Sequence, residues 1–256
     1  MAGGDLFAVL APMRDAPDRS GVFSDFDGTL ALIVAEPGDA VPLPGAVAVL
    51  DALASRYARV GIVSGRPVGF LQPTFGPDVA LVGIYGLERV IGRQRQDHPS
   101  AGVWREVIDD VVAQSAATAP EGMRMEAKGL SVTVHYRERP DRADEVRAWA
   151  EGQAARTGLE VRAAKMSFEL HPPIPVDKGS TLLELAEGLS AVIFIGDDVG
   201  DLPAFDALDE LAAAGVVTVR VAVRSPESSP ELLDRADLVV DGPTGALAVL
   251  EALAAP

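Results

Sequence analysis

The sequence predicts an α/β fold: a parallel sheet with helices on both faces, interrupted once by a smaller α/β segment. Three observations predict it. Six apolar runs, near 21–26, 59–63, 79–84, 191–195, 217–223 and 237–240, have the length of strands and little polar alternation. Helical patterns lie between most of them, such as Ala46-Val47, Val49-Leu50 and Leu53, and Leu182-Leu183 with Leu185-Ala186. Continuous apolar strands alternating with helices imply burial on both faces, and so parallel pairing. The third observation is that residues 95–174 break this rhythm.

The first strand runs into Phe23-Ser24-Asp25-Phe26-Asp27-Gly28-Thr29-Leu30. Side chains at i and i+2 of a strand share a face, so Asp25 and Asp27 can address one bound atom. Such a pair suits a division of labour, one carboxylate attacking an electrophile while the other moves a proton. Gly28 permits a sharp turn beneath them, and the Thr29 hydroxyl can hold the loop. A bare Asp-x-Asp before glycine is equally an acidic turn, so its partners matter. Beyond the helix at 46–53, Val60-Gly61-Ile62-Val63-Ser64-Gly65-Arg66 reads as a buried strand ending in a hydroxyl and a glycine. The strand at 79–84 follows, and residues 1–94 form the first part of the core.

In the interruption, Val103, Val107, Ile108, Val111 and Val112 suggest a helix. Residues 123–128 and 130–137 read as two strands around Gly129, 144–156 as a second helix, and 159–163 and 166–171 as two more strands. Helix-strand-strand twice over implies a small antiparallel sheet backed by two helices. At strand period two, Arg124, Glu126 and Lys128 share one face, a pattern that is most often a solvated charged surface. Pro172, Pro173 and Pro175 punctuate the return to the core. Residues 175–256 then supply Val176-Asp177-Lys178-Gly179-Ser180, a helix, and Val192-Ile193-Phe194-Ile195-Gly196-Asp197-Asp198-Val199-Gly200-Asp201, an acidic cluster at a strand end.

These four stretches, in this order, resemble the four motifs of the haloacid-dehalogenase-like (HAD) phosphotransferases. The resemblance implies a Rossmann-like parallel-sheet core with an inserted α/β cap of the larger, C2 type. It implies Asp25 as the phosphorylated nucleophile, Asp27 as general acid and base, Ser64 as a hydrogen bond to a phosphoryl oxygen, and Lys178 as the neutralising cation. It implies Mg²⁺ held by the Asp25 carboxylate, the Asp27 carbonyl and Asp197, with Asp198 and Asp201 holding its waters or positioning Lys178. An octahedral, all-oxygen shell suits that ion.

The interruption adds Glu126-Ala127-Lys128-Gly129-Leu130-Ser131, Val134-His135-Tyr136-Arg137 and Phe168-Glu169-Leu170-His171-Pro172. These are similar to the cap motifs of trehalose-6-phosphate phosphatases, as Ser64-Gly65-Arg66 and Gly86-Leu87-Glu88 are to their core. The resemblance implies sugar contacts from Glu126, Lys128 and Glu169, since carboxylates accept from hydroxyls and lysine donates to them. Arg66 is expected to meet phosphate or sugar, with a helix-starting role as the alternative. His135 reads as a packed strand residue. The chain departs from that family's pattern at Tyr85, where His is usual, at His171, where Arg is common, and at Gly200 and Leu202 beside Asp201. None of these removes a catalytic carboxylate.

Composition sets the outer limits. With 256 residues, 48% of them hydrophobic, the chain can supply a sizeable core. No apolar stretch approaches the roughly 20 residues of a membrane span, and the apolar run at 6–11 is too short for a signal peptide. A cytoplasmic protein is expected. The sequence has no Cys and three His, which excludes disulfides and thiolate zinc sites and leaves little for a histidine metal site. A net charge of −16 argues against nucleic acid, so the expected partner is a small sugar phosphate held in a locally positive pocket. The expectation is a Mg²⁺-dependent phosphatase of trehalose 6-phosphate. The alternatives are the same chemistry on sucrose phosphate or an aminocyclitol analogue, a phosphomutase, and a non-catalytic sugar-phosphate sensor.

Overall fold

The computed structural model describes residues 3–34, 36–164, 166–226 and 228–255. The chain forms two compact units, one from the segments up to Gln96 and from Val176 onward, the other from Asp97–Pro175.

The first unit holds β1 (Ser20–Ser24), β2 (Arg59–Val63), β3 (Ala80–Gly83), β4 (Glu88–Ile91) and β5 (Gln94–Arg95) from its first segment. Its second segment adds β10 (Ala191–Gly196), β11 (Val217–Arg224) and β12 (Leu238–Asp241). They make one sheet in the order β12-β11-β10-β1-β2-β3-β4-β5. The six expected strands are its parallel part, from β12 to β3. β4 and β5 add an antiparallel edge hairpin. Its two-residue turn, Gly92-Arg93, has φ of 57° and 70°, the left-handed pair that matches strand twist in a tight hairpin.

Alternation along the strands sorts the core into two layers. Val22, Ile193, Ile195 and Val221 face helices α1 (Gly3–Asp15), α2 (Ala46–Ala54) and α9 (Gly242–Ala254) through Leu10, Leu50, Leu53 and Leu250. Phe23, Val192, Phe194 and Ala222 face α6 (Lys178–Leu185), α7 (Leu202–Ala213) and α8 (Pro230–Arg235) through Leu182, Phe205 and Leu232. Period two on a doubly covered sheet puts apolar residues on both faces, which is why these strands read as unbroken apolar runs.

The second unit is an antiparallel sheet in the order β6 (Arg124–Ala127), β7 (Val132–His135), β9 (Ser167–His171), β8 (Glu160–Ala164). Helices α4 (Ala101–Thr118) and α5 (Ala143–Thr157) pack on one face, where Ile108, Val111, Val146 and Ala150 meet Val132, Val134, Phe168 and Leu170. Among the described residues no helix is long and apolar enough to cross a membrane.

Candidate active site

The candidate site lies where three neighbouring parallel strands end. Ser24, the last residue of β1, pairs with Ile62 of β2 and with Ile195 of β10. Asp25, Ser64 and Asp197 therefore leave the sheet at carboxyl ends on adjacent strands. In chain order β2 and β3 (with α3, Val68–Leu71, between them) lie to one side of β1, while β10 to β12 lie to the other. That reversal is the switch point at which open α/β sheets leave a crevice for ligands.

The loop after β1 is organised by its own backbone. The Phe26 carbonyl accepts from the amides of Thr29, Leu30 and Ala31, at 3.3, 2.8 and 2.9 Å. Gly28 sits at φ 77°, and a Cβ there would lie 2.1 Å from Asp197 Oδ2. Glycine is thus required twice, for the turn and for the approach of the Asp197 carboxylate. The Thr29 hydroxyl donates to Asp197 Oδ1 at 3.3 Å, so it ties the β1 loop to the β10 loop.

Lys178 is placed by a helix cap. The Asp177 carboxylate accepts from the Ser180 amide at 2.8 Å, and the Ser180 hydroxyl accepts from the Asp177 amide at 3.0 Å, a reciprocal pair that fixes the start of α6. The buried Lys178 ammonium lies 3.0 Å from Asp25 Oδ1 and 2.6 Å from Asp201 Oδ1. The other oxygen of Asp201 accepts from the amides of Asp197 and Asp198, at 2.9 and 3.2 Å. Asp198 turns its carboxylate to the Gly200 amide at 2.8 Å.

Asp25, Asp197 and Asp201 each bring one carboxylate oxygen within 4.8 Å of the others. Burial raises Asp25 well above the ordinary carboxylate value; Lys178 opposes this, while Asp201, Asp198 and Asp27 add to it. Burial and then the charges of Asp25, Asp201 and Asp198 push Asp197 up to about 9. Asp201 is also raised by burial, against the pull of Lys178. Burial works against the Lys178 ammonium, but Asp201, Asp25 and Asp198 outweigh it and hold the group well above the usual lysine value. Three buried carboxylates with one ammonium lack positive charge. A hard divalent cation with oxygen ligation meets that deficit, so the donor set fits Mg²⁺. Asp198 and the Asp27 carboxylate stand outside this trio.

Ser64 is buried at the end of β2, where its hydroxyl accepts from the Arg66 amide at 3.2 Å. The Arg66 guanidinium meets Asp27: Nε donates to Oδ2 at 2.7 Å and Nη2 to Oδ1 at 2.6 Å. Neither the Arg66–Asp27 pair nor the Thr29–Asp197 bond is visible in local spacing. Tyr85, at φ 58°, carries its hydroxyl to 2.8 Å from where a Cβ of Gly65 would stand, so the small residue there makes room for the ring. Glu88 accepts from the Val68 amide at 2.9 Å and from Arg95 at 3.0 Å. It is a buried support for the start of α3.

In the second unit, register places Glu126, Thr133, Glu169 and Arg162 in one row across the sheet. Period two sets that row opposite the helix-covered face. Lys128 lies 3.8 Å from Glu169, and the Ser131 hydroxyl donates to the same carboxylate oxygen. His135, expected as a packed strand residue, pairs through Nε2 with Glu126 Oε2 at 2.8 Å. Glu126, Lys128 and Glu169 are thus gathered on one polar face, with Ser131 and His135 as partners whose role there the sequence did not show.

The trehalose-phosphatase family profile matches residues 23–237. The chain belongs to the trehalose-phosphatase family. The matched stretch holds every family residue described above, from Asp25 to Asp201. The trehalose-phosphate phosphatase of Mycobacterium marinum is 35% identical over 203 residues, 74% of this chain and 52% of that protein. The chain therefore spans about half the length of the curated relatives it matches. Among solved structures, the C-terminal domain of trehalose-6-phosphate phosphatase from C. albicans superposes with a TM-score of 0.78 at 24% identity, covering 96% of each chain. A haloacid dehalogenase-like hydrolase from Bacteroides thetaiotaomicron gives 0.60 at 15% identity, covering 91% of this chain and 98% of that one. The fold is that of a HAD core with an α/β insert.

Proposed function

We propose that this chain is a Mg²⁺-dependent phosphomonoesterase that hydrolyses trehalose 6-phosphate to trehalose and phosphate. The observation that carries the reading is the buried Asp25–Asp197–Asp201 trio with Lys178 between two of its members, in a chain of this family. Asp25 attacks phosphorus in line with the ester oxygen. Asp27 protonates the departing sugar oxygen and afterwards takes a proton from the water that hydrolyses the aspartyl-phosphate. Ser64 donates to a phosphoryl oxygen. Lys178 compensates charge on the phosphoryl group, and Asp201 holds Lys178 in place. Asp25, Asp197 and Asp201 hold the metal together with the Asp27 carbonyl, and Asp198 shapes the loop that carries them. Bound Mg²⁺ would supply the positive charge that keeps Asp25 ionised and offsets the phosphoryl oxygens. For a reaction whose demand is positioning and charge compensation, these side chains are a sufficient set.

Glu126, Lys128 and Glu169 are proposed to read the sugar, because their polar row offers acceptors and a donor to a ligand rich in hydroxyls. The test is a phosphate-release screen across sugar phosphates with Mg²⁺. Trehalose 6-phosphate is expected to give the highest kcat/KM, and excess EDTA to abolish turnover. Preference for sucrose phosphate or an aminocyclitol analogue would overturn the sugar assignment, and turnover undiminished by EDTA would overturn the metal.

A further inference from the structure

We infer that Arg66 is the positioning residue for Asp27, an inference that rests on the phosphatase reading above. Its backbone is fixed first. The Arg66 amide donates to Ser64 Oγ at 3.2 Å, and its carbonyl accepts from the Ile84 amide at 3.0 Å. The side chain is then held on every side. Nε and Nη2 grip the two oxygens of Asp27 at 2.7 and 2.6 Å, the fork-to-fork geometry that only a guanidinium offers a carboxylate. Nη1 donates to the Pro37 carbonyl at 2.6 Å. The guanidinium carbon stands 4.5 Å from the centre of the Phe70 ring. Phe70 in turn lies edge-on to Phe26 at 5.9 Å and 73°. Phe26 directly precedes Asp27, so the aromatic support of the cation and the carboxylate it holds belong to one assembly.

Asp27 needs such a support and Asp25 does not. The Asp25 side chain is 8% exposed and pinned by Lys178, whereas that of Asp27 is 36% exposed. A carboxylate on an open loop can turn about two torsions, yet proton transfer requires a heavy-atom separation of about 2.6–3.2 Å. A fork that engages both oxygens fixes both torsions. In the first half-reaction an Asp25 oxygen bonds to phosphorus as the ester P–O bond breaks, and the Asp27 proton passes to the leaving oxygen. In the second, a water oxygen bonds to phosphorus, its proton passes to Asp27, and the bond to Asp25 breaks to release phosphate. Each step uses one Asp27 oxygen, which keeps a lone pair for its Arg66 donor, so the fork stays on both oxygens. The bonds to Asp27 and Pro37 take three of the five guanidinium N–H groups and, with Phe70, fix the cation's plane. That is why positioning is the better assignment.

The test uses the full chain with Mg²⁺ and a sugar-free series of phosphate monoesters, graded from p-nitrophenyl phosphate to simple alkyl phosphates. The readout is kcat/KM, which reports steps up to formation of the aspartyl-phosphate. An activated leaving group departs with little need of a proton and an alkoxide does not, and general acid catalysis is worth about 10²–10⁴-fold. Arg66→Met should therefore cost the alkyl esters about a hundredfold or more and p-nitrophenyl phosphate less than about tenfold, with the loss in kcat. Arg66→Lys, which keeps charge and most of the packing, should fall between, and it provides the comparison should Arg66→Met not fold. A loss equal across the series would make Arg66 merely structural, and a raised KM with unchanged leaving-group dependence would make it a substrate ligand. Either result overturns the inference while the phosphatase reading stands. Trehalose 6-phosphate is assayed beside the series as a further alkyl ester, and a wild type inactive on it and on every member of the series overturns both.

Discussion

The two polar clusters of this chain handle charge in opposite ways. In the first unit, three carboxylates crowd one ammonium, and burial with mutual repulsion drives the carboxylates up. In the second unit each of two carboxylates has a partner within the sheet, Glu126 the His135 ring and Glu169 the Lys128 ammonium. A site left short of positive charge suits a metal ion, and would accept a phosphate only with that charge supplied. A balanced row of donors and acceptors suits a neutral, hydroxyl-rich ligand. The contrast teaches that chemistry and recognition can be assigned to different units, and that substitutions in each should fail differently.

The largest effect should come from Asp25→Asn, which keeps shape and removes the attacking charge. Turnover should fall by several orders of magnitude on every ester while the melting temperature is kept; a folded variant with near-normal turnover would break the core side of the comparison. Lys178→Met comes next. It strips the ammonium from between Asp25 and Asp201, and the loss of one charge-stabilising donor costs about 10²–10³-fold in kcat. The loss should be the same for trehalose 6-phosphate and p-nitrophenyl phosphate, and steady-state kinetics with both would expose any dependence on the sugar.

Cap substitutions should be milder and selective. A charged hydrogen bond is worth about 1.5–3 kcal/mol, roughly ten- to two-hundredfold in kcat/KM. Glu126→Ala and Lys128→Ala should lose that much on trehalose 6-phosphate and little on p-nitrophenyl phosphate. Equal losses on both would mean that this row supports folding, and the division between the units would fail.

The remaining effect is on stability rather than turnover. Asp197 is raised to about 9 in the folded chain, chiefly by burial and the charge of Asp25, against an unfolded value near 4. The folded state thus holds a proton that the unfolded state has lost, and in EDTA stability should fall as pH rises from about 4 to about 9. Mg²⁺ should reverse the trend, with its largest increase in melting temperature at the alkaline end. Asp197→Asn should flatten the slope in EDTA. Melting curves across pH with and without metal would check this, and a metal-free slope of the opposite sign would contradict the crowded-carboxylate picture.

Much of the core was legible because its information is local. Asp25 and Asp27, Ser64, Lys178 and Asp197 each sit within a few residues of an apolar strand or a helix start, where spacing shows a strand end and the resemblance to the family's motifs supplies the role. The six parallel strands were legible because a doubly covered sheet demands unbroken apolar runs. The β4–β5 hairpin was not, since Glu88-Arg89-Val90-Ile91 mixes polar and apolar residues and its partner is two residues long. Helix α1 was hidden because Leu6 to Ala11 makes too short a run to show helical period. Pairings between distant segments were also hidden: Arg66 meets Asp27 across 39 residues and Thr29 meets Asp197 across 168. The His135–Glu126 pair depends on strand register, and a one-residue slip would have turned these side chains to the helix-covered face.

Acid-quenched turnover analysed by peptide mass spectrometry tests the central claim most directly. During hydrolysis of trehalose 6-phosphate with Mg²⁺, a phosphoryl group should be found on the peptide holding Asp25. It should be absent from Asp25→Asn and should accumulate in Asp27→Asn with an activated ester, where water attack lacks its base. Rapid turnover with no phosphorylated peptide, or with the label on any other residue, would contradict the account.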